Sequence, residues 1–238
     1  MNAGRTARER ARAELTDQIK AAARRQLATE GAERLSLRAI SREMGMVSSA
    51  LYRYFPSRDD LLTALIIDAY DALGAAAESA AAAKDDAHPS DIWLAVCAAV
   101  RDWARANPQE YALIYGSPVT GYKAPQTTVE PASRVPILML GIVTRANTHG
   151  WLARLDNAPE PTGRLAEQVD VLAALAIGVP RRVLLRVAIV WTQLFGMISF
   201  ELFGQLVGTM DPADDFFAEA CKQMATFIGL RSNATVGF

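Results

Sequence analysis

Apolar residues recur at three- and four-residue spacing along nearly the whole chain, and glycine or proline breaks the pattern at intervals. Spacing of that kind puts the apolar side chains on one face of a helix, so the chain is predicted to be all-α. The first predicted helix runs from about Ala11 to Glu30, with Leu15, Ile19, Ala22, Ala23 and Leu27 on its buried face and Gly31 as the stop. Ser36 caps a short helix, Leu37 to Met44, and Gly45 ends it. A third short helix is expected at Ser48 to Tyr54, closed by Pro56. Ser57 with Asp60 forms a capping box for a long helix that fades near Lys84.

Further helices are predicted from about Pro89, from Pro108, over Val129 to Asn147, over Leu165 to Ile177, over Arg181 to Val207, and from Pro212 to Gly229. Residues 116–127 and 154–163 are rich in turn formers and read as loops. The pattern contains no convincing strand and no repeat.

Two short helices joined at Gly45 read as a helix-turn-helix. Leu35, Leu37, Ile40, Met44, Met46, Leu51 and Phe55 weld the pair together. Ser48, Ser49, Ala50, Tyr52, Arg53 and Tyr54 are left over, and all can reach a DNA groove. Charge supports that reading. Residues 1–60 carry twelve Lys/Arg against eight Asp/Glu, while the remainder carries thirteen against eighteen. A basic head on an acidic body suits phosphate contact, which is driven by counterion release.

The expected division is a basic flexible arm at 1–11, the helix-turn-helix domain at 12–58, a helical ligand-binding and dimerisation domain at 59–230, and a frayed tail at 231–238. Arg5, Arg8, Arg10 and Arg12 form either an arm on DNA or a solvated tail, the tail being the more ordinary outcome.

Other chemistries find little support. Cys97 and Cys221 each stand alone in an apolar pattern, and His88 and His149 are the only histidines. A disulfide framework, a metal site and a cofactor are therefore not expected. No paired carboxylates, phosphate loop or metal-binding helix motif argues for an enzyme. An all-helical enzyme and an interaction module without specific DNA binding are the competing classes. Val183 to Met210 is apolar but broken by Arg186, Gln193, Glu201 and Gln205, so it reads as a core helix and not a membrane span. Residues 1–14 are charged and carry no signal-peptide pattern, which leaves the cytoplasm as the expected compartment.

The run from Leu35 to Phe55, LSLRAISREMGMVSSALYRYF, followed by Arg58-Asp59-Asp60-Leu61-Leu62, resembles the DNA-binding head of the TetR family. The resemblance implies a repressor that binds a palindromic operator as a homodimer and is released by a small-molecule effector. It implies DNA contacts from Ser36, Arg38, Ser48, Ser49, Ala50, Tyr52, Arg53, Tyr54 and Arg58. Ser36 also reads as a helix cap, and Tyr52 and Tyr54 also as packing against the first helix. The family usually has Ser or Thr where this chain has Val47, so Ser48 is expected to take over the cap and start the helix one residue later.

The body resembles the WHG subgroup of the same family, in Trp191, Gly196 and Ile198-Ser199-Phe200-Glu201-Leu202, with Phe195 in place of the histidine. The Pro108-x-x-Tyr111 and Tyr115-Gly116-Ser117-Pro118 segments fit as well. By resemblance the last two long helices pair with their copies. Gly196, Phe203, Gly204, Phe217, Cys221 and Met224 are expected at that seam, with Ser199, Leu206 and Gly208 beside them. Trp93, Val96, Cys97, Tyr111, Ile114, Tyr115, Ile137, Leu140 and Phe200 are expected to line a pocket for a lipophilic or aromatic ligand, with ordinary core as the alternative for each.

Overall fold

A computed structural model describes residues 7–153 and 159–231. Arg5 lies outside the described residues, as does all of the expected tail except Arg231. The chain forms α1 (Ala7–Glu30), α2 (Leu37–Glu43), α3 (Ser48–Leu51), α4 (Arg58–Ala82), α5 (Pro89–Ala106), α6 (Pro108–Tyr115), α7 (Val129–Thr148), α8 (Gly163–Ala173), α9 (Arg181–Leu202) and α10 (Asp214–Ile228). Among the described residues the only extended pairing is an isolated bridge between Leu152 and Leu230. The fold is all-α.

The chain divides into two compact units. One joins the chain up to Tyr70 with Asn107–Pro131, and the other joins Asp71–Ala106 with the chain from Ala132 onward. The sequence reading placed one boundary near residue 58 and gave all of α6 to the larger domain. In the structure α6 belongs to the unit that carries the helix-turn-helix, because tertiary contacts hold it there. Arg24 of α1 lies 3.1 Å from the Glu110 carboxylate, the Tyr70 and Tyr115 rings meet edge to face at 6.0 Å, and the Thr63 and Tyr122 hydroxyls are 2.9 Å apart.

The core of this first unit is built by the predicted spacing. Ile19, Ala23 and Leu27 of α1 close on Leu37 and Ile40 of α2, Leu51 of α3 and Leu61, Leu62 and Leu65 of α4, all buried. Each of the leucine and isoleucine side chains contributes roughly 1.5–3 kcal/mol of transfer free energy. Polar groups fix the joints. The Ser36 amide donates to the Gln26 side chain at 3.0 Å, and the Ser36 hydroxyl accepts from the Ala39 amide at 3.4 Å, capping α2. Gly45 takes φ 65°, a left-handed turn that favours glycine. Ser57 accepts from the Asp60 amide at 3.1 Å, the N-cap half of the box anticipated from sequence, while the Asp60 carboxylate accepts from the Ser57 hydroxyl at 2.7 Å and not from its backbone amide.

In the second unit Trp93 is fully buried on α5 and its indole N–H donates to the Cys221 carbonyl of α10 at 3.2 Å. Arg101 is buried too. It forms a two-pronged pair with Glu201 at 2.7 and 2.8 Å, reaches Asp214 at 3.0 Å, and stacks over Phe217 at 4.8 Å. Arg134 of α7 holds α4 through the Asp71 carbonyl and carboxylate, both at 2.8 Å, and through Glu78 at 2.6 and 2.9 Å. Gly74 between them gives Arg134 its room, since a Cβ there would lie 2.7 Å from the guanidinium Nε.

Two helix ends differ from expectation. α9 stops at Leu202, so Gly204 and Gly208, with φ 80° and 78°, are turn residues and not small residues on a helix face. α3 spans only Ser48–Leu51, and Tyr52 to Tyr54 form the turn after it.

Candidate nucleic-acid interface

The polar face of the helix-turn-helix starts on α2, where Arg38 and Arg42 sit four residues apart and both are exposed. Across the Gly45 turn, Val47 occupies the N-cap of α3 without a side-chain cap bond and is 72% exposed. Ser48 does not replace it. Ser48 is already helical, and its hydroxyl lies 3.0 Å from that of Ser41, a buried residue of α2. That bond ties the two helices across the turn, so the expected change of register is corrected: α3 starts at Ser48 with an uncapped first turn.

Ser49 is exposed, Ala50 is half-buried, and Tyr52 and Arg53 are exposed in the turn that follows. Tyr54 is half-buried against the core of the unit, with the Arg12 guanidinium 5.3 Å from its ring centroid. Ser36 is half-buried and acts as the cap described above.

Arg58 departs from expectation. Its guanidinium donates to the Ala32 carbonyl at 2.9 Å and the Glu33 carbonyl at 3.4 Å, and lies 3.6 Å from the Asp59 carboxylate. It is occupied in holding the turn after α1, which corrects the reading of it as a free phosphate clamp.

Electrostatics favour an anionic partner. Among the described residues no carboxylate pairs with Arg38, Arg42 or Arg53, and Glu43, the only acid from Leu37 to Tyr54, is paired with Arg25 at 2.6 Å. Sequence reasoning missed Arg42. Its signal was available, because it stands one turn beyond Arg38 on the same face.

The residues expected at the ligand pocket fall in both units. Trp93, Val96, Cys97 and Leu140 are buried in the second unit. Burial pushes the Cys97 thiol well up, and Cys221 beside it adds to the shift. Tyr111 is buried in the first unit, with Ile114 and Tyr115 half-buried near it. Burial raises the Tyr115 phenol, with Tyr70 and Tyr111 adding to the effect. Ile137 and Phe200 are exposed. Ile137 borders a groove of about 440 Å³ that also includes Ile92, Leu138, Ile142, Glu78 and Arg145.

The expected dimer residues also separate. Gly196 is half-exposed and Phe203 exposed, but Phe217, Cys221 and Met224 are buried inside the single chain. Their spacing turns them toward α5, where Cys221 and Phe217 meet Trp93 and Arg101. They are corrected from seam residues to protomer core. α9 is long and apolar enough to cross a bilayer, yet it is two-sided: Leu184, Val187, Val190, Leu194 and Ile198 are buried, while Ile189 and Phe200 are exposed.

A short helix pair with a basic, polar outer face, set in an all-helical chain, defines a helix-turn-helix DNA-binding regulator. Residues 19–65 match the family model for bacterial regulatory proteins of the tetR family, and residues 93–224 match the model described as Tetracyclin repressor-like, C-terminal domain. The HTH-type transcriptional regulator Rv1816 of Mycobacterium tuberculosis is 40% identical over 222 residues, covering 89% of this chain and 92% of that protein. The crystal structure of a candidate regulatory protein, SCO4313, superposes with a TM-score of 0.74 at 35% identity, covering 93% of this chain and all of that one. The TetR family regulator PfmR of Thermus thermophilus shares the fold, with a TM-score of 0.54 at 19% identity over 90% of this chain and 99% of that one. The chain belongs to the TetR family of transcriptional regulators.

Proposed function

We propose that the chain is a cytoplasmic homodimeric repressor that binds a palindromic operator and is released by a small lipophilic or aromatic ligand. The observation that carries the DNA reading is the exposed, carboxylate-free set of Arg38, Arg42 and Arg53 on the helix-turn-helix, with Ser49 and Tyr52 among them. Arg53 reaches a guanine edge or phosphate, Ser49 and Ala50 face the groove, and Arg38, Arg42 and Tyr52 hold the backbone.

Dimerisation is supported by an apolar stripe left uncovered on α9 and the turn after it. Ile189, Phe200, Phe203 and Val207 are 43%, 55%, 46% and 69% exposed, and Gly196 lies on the same stripe. Spacing of seven and eleven residues keeps Gly196 and Phe200 in line with Ile189. Exposed apolar area of that kind marks an association surface, and a two-fold partner supplies the second half-site reader.

Effector binding is supported by the apolar groove beside Ile137 and by two buried polar atoms in the second unit, Trp191 Nε1 and His88 Nε2, that have no hydrogen-bond partner among the described residues. A ligand acts by binding the DNA-incompetent arrangement more tightly than the competent one. α4 contributes residues to both units and is the element through which that preference reaches the head.

Mobility-shift titration of DNA flanking the gene tests the reading. Specific binding by two chains per duplex, lost on adding an apolar ligand from a screened set, supports it. Equal affinity for operator and unrelated duplex overturns it.

A further inference from the structure

At the start of α1, Arg8 and Arg12 are both exposed and one helical turn apart. They share a hollow of about 410 Å³ with Arg53 and Tyr54, from the turn after α3, and with Ala11 and Leu15 as its apolar side. Three arginines therefore border one concavity, and among the described residues no acid borders it. Arg12 is held in place by stacking over the Tyr54 ring at 5.3 Å.

This arrangement is electrostatically wrong for the isolated protein. Like charges one turn apart on a helix repel each other. Cations in the first turns of a helix also oppose the macrodipole, which favours negative charge there. A third cation from another element adds to the repulsion. The cluster is made favourable by an anion that all three can approach, and guanidinium groups match the oxygens of a phosphate.

We propose that Arg8, Arg12 and Arg53 form a notch that grips one phosphodiester of the DNA backbone, extending the head's footprint from the recognition turn onto the first turns of α1. The proposal rests on the DNA reading above, because Arg53 belongs both to the notch and to the turn that faces the groove. It also gives the basic N-terminal segment an ordered role: residues from Ala7 onward are helix, and two of its arginines border the same hollow as Arg53 and Tyr54 of the recognition turn. The occupant is a single phosphate ester, and its source is the duplex and not a free phosphate in solution.

The test is the salt dependence of operator binding by the full chain, read by fluorescence anisotropy across a potassium chloride series. The operator is one selected from random duplex DNA by the unaltered protein. The Arg8→Ala/Arg12→Ala variant is expected to show a slope of log affinity against log salt that is shallower by ~1. Arg8→Lys/Arg12→Lys is expected to keep the original slope, since the charge is retained. A duplex carrying one neutral methylphosphonate at the gripped position weakens binding by the unaltered protein more than binding by the alanine variant, which keeps only Arg53 at that phosphate. An unchanged slope in a folded alanine variant, with tight binding by the unaltered chain, overturns the notch and leaves the DNA reading standing. Failure of the unaltered chain to bind any selected duplex overturns both. Titration with inorganic phosphate at constant ionic strength separates the sources: saturable binding lost in the alanine variant, with an unchanged duplex slope, assigns the notch to a free anion and overturns the duplex assignment.

Discussion

The Arg58 guanidinium donates to the carbonyl of Ala32, 2.9 Å away and 26 residues earlier in the chain. The contact closes the turn between α1 and α2 against the first residue of α4. It makes Arg58 a structural tie within the head, while Arg53, with no carboxylate partner among the described residues, remains available to DNA.

Arg58→Ala and Arg53→Ala are therefore expected to fail in different ways. Removing Arg58 strips charge-assisted bonds from two carbonyls and lowers stability by about 1.5 kcal/mol. Removing Arg53 leaves stability within ~0.5 kcal/mol and weakens operator binding. Urea unfolding beside anisotropy titration separates the two effects.

Val47→Ser is expected to stabilise the protein. The α3 N-cap has a side chain that cannot accept a hydrogen bond, and serine supplies one for the first turn. A cap of this type contributes ~0.5–2 kcal/mol. Differential scanning calorimetry should show a higher Tm, and no rise would mean that the first turn of α3 is satisfied by other means.

Gly74→Ala should reverse the usual benefit of replacing a helical glycine. Alanine is ordinarily better there by ~0.8–1 kcal/mol. Here its Cβ would stand 2.9 Å from the Cβ and Cδ of Arg134. The variant is expected to lose about 1 kcal/mol through overpacking. In an Arg134→Ala background the same change should become stabilising. The sign reversal, read from urea midpoints, is the check.

Stability should decline modestly in acid, because the carboxyls concerned are largely exposed and screened by solvent. Hydrogen bonding to Arg134 holds the Glu78 carboxyl below its ordinary range, Arg101 does the same for Asp214, and the Thr120 amide does so for Glu33. A carboxyl depressed in the folded state contributes stability above its unfolded pKa, and that contribution is lost as pH falls through the folded value. The loss therefore begins near the ordinary carboxylate pKa of ~4 and continues below it. Arg134→Gln should flatten the decline, measured as urea midpoints at about pH 6, 4 and 3.

Much of the head was legible in the sequence because its signals are local. Gly31, Gly45 and the Ser57 cap mark ends and starts that depend on a few neighbouring residues, and all three act in the structure as read. The apolar spacing that predicted the core at Ile19, Leu27, Ile40 and Leu62 is likewise local. What failed was long-range. Nothing in the periodicity of Pro108 to Tyr115 reveals that Glu110 meets Arg24. Phe217, Cys221 and Met224 form an apolar stripe that suits a dimer seam or a protomer core equally well, and only packing against α5 decides. Gly204 and Gly208 were read for their small size, when their left-handed φ was the operative property. Arg58 looked like a phosphate ligand because a free cation and a cation spent on carbonyls have the same sequence.

Hydroxyl-radical footprinting of the selected operator tests the central claim most directly. Two heads reading one duplex as a symmetric pair should protect two patches centred about one helical turn, ~34–36 Å, apart. Protection should weaken in both patches together for Arg53→Ala. A single protected patch, or protection that ignores the exposed residues of α2 and α3, would contradict the account.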